Sequence, residues 1–195
     1  MGFLDILLGR SKPAVPDLDQ LFGLPSAALT LQAAAGFTPT GTGAVCFASV
    51  EGGAFAQAHE EAQALLDADT GRTGPPVERS RDEYGYSWLV SRRTPDDLPA
   101  LVSDLHAVNS SLEGTGFGPQ LLCSVVGFED GEQRRLGLVY LYKRGNFYPL
   151  CVIPGQQKRD NALELQVAAL LENDLRIEKD RARWFPIWGA PGLSN

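Results

Sequence analysis

Between residues 119 and 153 the chain alternates apolar runs with tight turn signals, and that alternation restricts its folding more than any other feature. Pro119 to Phe128, Arg135 to Lys143 and Phe147 to Ile153 are the apolar runs; Asp130-Gly131 and Arg144-Gly145-Asn146 separate them. Turns of this composition reverse the chain between neighbouring strands. Three consecutive antiparallel strands are expected here.

Upstream, Ala44 to Val50 reads as a buried strand, with Gly52-Gly53 turning into a helix from Ala54 to Ala68. Phe55, Ala58, Ala62, Leu65 and Leu66 recur at the spacing of one helical face, with His59 beside them, packed at the boundary and bonded locally. Asp69 to Pro76 is a Gly/Pro-rich loop. Val77 to Arg81 and Tyr84 to Arg92 suit a hairpin in which Tyr86, Trp88 and Val90 alternate onto one face. Thr94-Pro95-Asp96-Asp97 starts a helix with Pro99 in its first turn, where no intrahelical donor is needed. Its stripe is Leu98, Leu101, Val102, Leu105, Val108 and Leu112. Gly114-Thr115-Gly116-Phe117-Gly118 ends that helix, whereas a phosphate-binding loop needs a strand before it and a helix after. Asp160 caps a last helix burying Leu163, Val167, Leu170 and Leu171, and Leu175 to Glu178 suits an edge strand.

Nearer the start, Asp17 and Gln20 suggest a capping box for a short helix ended by Gly23 and Pro25. Residues 26–35 suit a helix capped by Ser26, or a strand through Leu29-Thr30-Leu31, with helix favoured. The expected class is α+β: a largely antiparallel sheet with helices mainly on one face. From Ala44 to Phe128 the order is β-α-β-β-α-β, which admits a ferredoxin-like βαββαβ unit.

Residues that carry chemistry are few. His59 and His106 are the two histidines, and Cys46, Cys123 and Cys151 each sit in an apolar run without C-x-x-C spacing. Such thiols read as small core hydrophobes rather than metal ligands, and their odd number suits a reducing compartment. Asp104, His106, Ser110 and Ser111 offer triad residue types, yet side chains so spaced on one helix do not converge as nucleophile, base and orienter require. The expectation is a non-enzymatic protein with no catalytic residues, cofactor or metal. The competing reading is a small anionic-ligand-binding protein or hydrolase, with a groove near Arg134, Lys143 and the His106 to Ser111 helix. A formal net charge of −7 argues against a nucleic-acid binder, since non-specific affinity for polyanions needs clustered Lys and Arg. No apolar run approaches the ~20 residues that span a bilayer.

Prolines and aromatics set the ends apart. Residues 1–16 read as an N-terminal amphipathic segment and prolyl linker, 17–183 as one α+β domain, and 184–195 as an aromatic C-terminal tail. Met1 to Arg10 lacks the basic start and cleavage site of a signal peptide. Phe3, Leu4, Leu7 and Leu8 form one face if helical, suited to a partner's groove, a membrane interface or the protein's own sheet. Trp184, Phe185 and Trp188 lie in a run whose prolines exclude a helix, so that segment packs on the body or binds a partner.

Several segments together resemble one family: Met1-Gly2-Phe3-Leu4-Asp5, Leu21-Phe22-Gly23-Leu24-Pro25-Ser26-Ala27, Gly36-Phe37-Thr38-Pro39-Thr40-Gly41 to Cys46-Phe47, Leu105-His106-Ala107-Val108-Asn109-Ser110-Ser111-Leu112, Gly118-Pro119-Gln120-Leu121-Leu122-Cys123, Tyr140-Leu141-Tyr142-Lys143-Arg144-Gly145 and Trp184 to Leu193. Spread nearly end to end, they are similar to the PspA-associated PspAB family. The resemblance implies a cytoplasmic accessory of the phage-shock, envelope-stress system, associated with a PspA-like membrane-remodelling protein and with an HtpX-like membrane protease. Peripheral contact with the inner face of the membrane is compatible with it. It implies no catalytic or ligand-binding residues.

Overall fold

A computed structural model describes residues 16–48, 53–69, 74–153 and 155–193, apart from the side chains of Ala54 and Phe55. Phe3, Leu4, Leu7 and Leu8 lie outside the described residues. A 3₁₀ turn at Leu18–Gly23 leads into α1 (Leu24–Ala35), β1 (Thr38–Ala48), α2 (Gly53–Asp67), β2 (Glu78–Arg81), β3 (Tyr86–Arg92) and α3 (Leu98–Gly114). A short 3₁₀ turn then precedes β4 (Leu121–Glu129), β5 (Arg135–Leu141), β6 (Asn146–Val152) and α4 (Asn161–Leu171).

The strands form one antiparallel sheet in the order β2-β3-β1-β4-β5-β6. β4, β5 and β6 are the meander that the turn signals require. β1 and β2 run parallel with β3 between them, and β3 and β4 run parallel with β1 between them. Each helical crossover thus skips a strand, which is the split βαβ arrangement of a ferredoxin-like unit. The class is α+β.

Several local expectations change. β1 begins at Thr38, not Ala44: the Pro- and Gly-rich start pairs with β4 through a register shift between Pro39 and Gly43. Gly41 within it takes φ +77°, and a Cβ there would meet the Arg93 carbonyl oxygen at 2.2 Å, so no other residue fits. Pro25 opens α1 instead of ending the preceding turn, because in a first turn its missing N–H has no helical bond to lose. Leu175 to Glu178 contributes only one parallel bridge, from Ile177 to Phe147, and so covers the outer edge of β6 without extending the sheet.

Alternation along the strands builds two apolar faces. Val45, Phe47, Leu89, Phe128, Leu138 and Phe147 face α1, α2, α3 and α4 in one core. Asp160 caps α4 by accepting the Leu163 N–H at 3.0 Å. In α2, Ala58, Ala62 and Leu66 are buried as their spacing predicts, while Leu65 is exposed. His59 is only 2% exposed, and neither ring nitrogen finds a partner among the described residues, contrary to the expected local bond. Trp88, Val90, Val125, Val139, Tyr148 and Leu150 point to the opposite face, where Trp184, Ala190 and Leu193 cover them.

Candidate functional site

On that second face one line of cross-strand neighbours runs Trp88–Cys46–Cys123–Leu141, each directly opposite the next across β3, β1, β4 and β5. The middle pair are short thiols, and the ends are an indole and a leucine. The row is therefore low in its centre. The chain from Phe185 to Trp188 lines the same space, and together they enclose a cavity of about 820 Å³ that opens to solvent. This is within the ordinary range for small-molecule sites. Tyr84 and Tyr86 from the β2–β3 hairpin stand at one end, and Lys143 and Arg144 from the β5–β6 turn at the other.

The floor is neutral. The Cys46 thiol is pushed far above its usual value by its hydrogen bond with Cys123 and by burial, so it is not a thiolate at neutral pH. Burial raises the Tyr148 phenol as well, and its hydroxyl donates to the Phe185 carbonyl at 2.8 Å.

Glu178 fastens the segment that crosses the cavity. It is 3% exposed and accepts from Asn146 Nδ2 at 2.8 Å, from Asp180 N–H at 2.9 Å and from Arg144 Nε at 3.1 Å. Its backbone N–H donates to the Phe147 carbonyl, and its own carbonyl accepts the Trp184 indole N–H at 2.9 Å. Burial by itself would raise this carboxyl; the bonds from Asp180, Asn146 and Arg144 outweigh it and hold the group below the usual carboxylate range. Trp184 also stacks on Tyr148, with ring centroids 6.2 Å apart and planes at 18°. Arg159, held by Glu164 at 2.8 Å, donates to the Trp184 carbonyl. Farther along, Gly192 and Leu193 lie on Gly127 and Gly137, which face each other across β4 and β5. A Cβ on Gly127 would meet Gly192 O at 3.0 Å, and one on Gly137 would meet Leu193 Cδ1 at 2.9 Å.

The aromatic residues singled out in the sequence divide. Trp184 is buried, Trp188 is half-buried in the cavity wall, and Phe185 is 55% exposed while lining the same cavity. Of the polar residues on α3, His106 and Ser110 meet, whereas Asp104 does not join them. His106 lies against the Phe22 ring, with Nε2 3.6 Å from Asp19 and Nδ1 3.4 Å from Ser110 Oγ. Asp104 instead enters a buried cluster, accepting from Arg93 at 2.7 and 2.9 Å and from Ser91. Arg134 is held by Asp130 at 2.6 Å and lies over the Phe37 ring. Of the groups proposed for an anion groove, only Lys143 reaches the cavity. The glycine-rich stretch after α3 returns the N–H groups of Thr115, Gly116 and Phe117 to carbonyls of the helix's last turn, so those three do not cradle a phosphate.

Among the described residues, no three His, Cys, Asp or Glu side chains group as a metal site, and no helix is long and apolar enough to cross a membrane. Spacing along the chain did not foretell the cavity, whose floor is joined by register between strands. The available signal was a cysteine in each of two apolar strands whose neighbours are bulkier.

No curated protein and no solved structure matches the chain. The model of the family described as PspAB, PspA associated protein B, matches residues 1–192, a span that includes both sheet faces and the segment crossing the cavity. The chain therefore belongs to the PspAB family of PspA-associated proteins.

Proposed function

We propose that the protein is a non-enzymatic accessory of a PspA-type envelope-stress response, acting as a cytoplasmic adaptor through protein contacts. The observation that carries this reading is the family match, whose description names association with PspA. A second observation supports an exposed contact surface: Tyr84, Tyr86 and Phe185, all large and solvent-exposed, gather around one opening with Trp188 beside them. Aromatic side chains grouped in one exposed patch are characteristic of binding surfaces.

In this reading residues 1–16 are a tethered contact element. Phe3, Leu4, Leu7 and Leu8 enter a groove on a PspA-like coiled coil or lie on the anionic inner membrane surface, and an HtpX-like membrane protease is a further partner. The full-length chain should co-elute with a purified PspA-like protein. Deleting residues 1–12, or combining Leu4→Asp with Leu7→Asp, should abolish capture by that protein or by anionic vesicles, because a face so small gives marginal affinity that two buried charges erase. The melting temperature should not move. A full-length chain that binds neither target sinks the adaptor reading.

A further inference from the structure

The cavity beneath Phe185–Trp188 is lined by four charged side chains, and three of them are already engaged. Asp82 accepts the Trp88 indole N–H at 3.0 Å and the backbone N–H groups of Tyr84 and Tyr86. Arg144 is held by Glu178 at 3.1 Å, and Arg183 by Asp180 at 2.9 Å. Lys143 is the exception: it is exposed and makes no hydrogen bond or ion pair with any described residue. The Tyr148 hydroxyl already donates to the Phe185 carbonyl, and the remaining floor is Cys46, Leu122, Cys123 and Leu141.

These facts define what would fit. A site whose lining is mainly apolar, with its carboxylate and both guanidinium groups already engaged by protein partners, offers a ligand apolar surface and penalises polar groups along its body. One unpaired ammonium at one end adds a place for a single anion. Asp82 does not contest that anion: Asp82 follows β2 and Lys143 follows β5, four strand spacings or about 19 Å apart, beyond the screening length in physiological salt.

We infer that the cavity binds a single-chain anionic amphiphile, its apolar tail lying along the Trp88–Cys46–Cys123–Leu141 row and its anionic head on Lys143. This does not depend on the association with PspA. The row crosses four strands, a span that matches a medium-length acyl chain better than a compact ring.

Dodecanoate is a suitable probe, titrated into the full-length chain below its micelle-forming concentration. All three tryptophans report on the site, because Trp88 and Trp188 line the cavity and Trp184 packs beside it. A saturable fluorescence change should appear, with calorimetry giving one dodecanoate per chain. Lys143→Glu, at an exposed position that leaves the fold intact, should weaken dodecanoate about tenfold and leave dodecanol unchanged. Cys123→Leu, which fills the floor, should weaken both about tenfold while far-ultraviolet circular dichroism shows the parent fold, at some cost in melting temperature. Non-saturable binding, equal affinity for dodecyltrimethylammonium, or indifference to Lys143→Glu overturns the inference. Binding only to phosphatidylglycerol vesicles overturns it too, by making this face a bilayer contact. A dodecanoate site that appears only once residues 1–12 are removed would do the same, by naming that segment as the occupant.

Discussion

Glu178 and His59 are both buried, and their environments displace both pKa values downward, so each costs stability on acidification, in different pH ranges. The Glu178 carboxyl is opposed by burial but held ionised by Asp180 N–H, Asn146 and Arg144. Its folded value lies below the unfolded one, so its stabilisation is complete above the ordinary carboxylate range and is lost as pH falls through the folded value. Acidification should therefore release Trp184 before the helical face unfolds, seen as a tryptophan fluorescence change that precedes loss of far-ultraviolet circular dichroism. Glu178→Ala leaves Arg144 and Asn146 without their acceptor and should cost about 3 kcal/mol in urea unfolding. For His59, burial is the larger cause and the Arg79 cation adds to it, against a weaker pull from Glu60. Its stability contribution is full above the ordinary histidine value of about 6.5 and is lost as pH drops below it, because the unfolded chain takes up the proton first. His59→Leu removes two ring nitrogens that have no partner among the described residues and should stabilise by roughly 1 kcal/mol at neutral pH, with a larger gain near pH 5.5. A variant less stable than its parent at both pH values would show that the imidazole has a partner.

At the level of elements, the C-terminal segment depends on a flat place in the sheet. Gly127 and Gly137, paired across β4 and β5, provide it. Gly127→Val should lift Gly192, part Leu193 and Ala190 from the second core, and cost roughly 2–4 kcal/mol, whereas Gly131→Val, with open space around it, should cost little. The meander strands could be read from the sequence because local signals agree there: Leu136, Leu138 and Tyr140 alternate with Val139 and Leu141 between two turn pairs. The stripes of α3 and α4 were legible for the same reason. The first half of β1 was not, since Thr38 to Gly43 has loop composition and becomes a strand only through distant partners, such as the Arg93 N–H on the Gly41 carbonyl at 2.8 Å. The cavity floor escaped for a related reason. Nothing in the spacing of Cys46 and Cys123 places them opposite one another; strand register does, and it is settled by the whole sheet. Trp184, Phe185 and Trp188 stood out as aromatic, but their separation into a buried anchor and two cavity-lining side chains follows from Glu178 and Tyr148.

The molecule as a whole is a sheet with two apolar faces that are covered very unequally. Four helices close one, and a segment of a few residues closes the other. Deleting residues 184–193 should lower stability by a few kcal/mol at ~25 cal/mol per Å² of apolar area, and should expose enough contiguous apolar surface for the chain to bind hydrophobic dyes and self-associate. Differential scanning calorimetry and sedimentation velocity read the two effects. An unchanged melting temperature, together with loss of binding to a PspA-like protein, would instead make the segment an interaction peptide. The unequal cover also has a consequence in time. Gly192 rests against Thr42, so the end of the segment closes one of the longest loops in the chain without a helix or strand of its own. Such a segment opens by a local fluctuation far more often than the sheet unfolds. Because the space beneath it already opens to solvent, a guest exchanges without unfolding of the sheet, and the lifetime of a bound guest is decoupled from the lifetime of the fold.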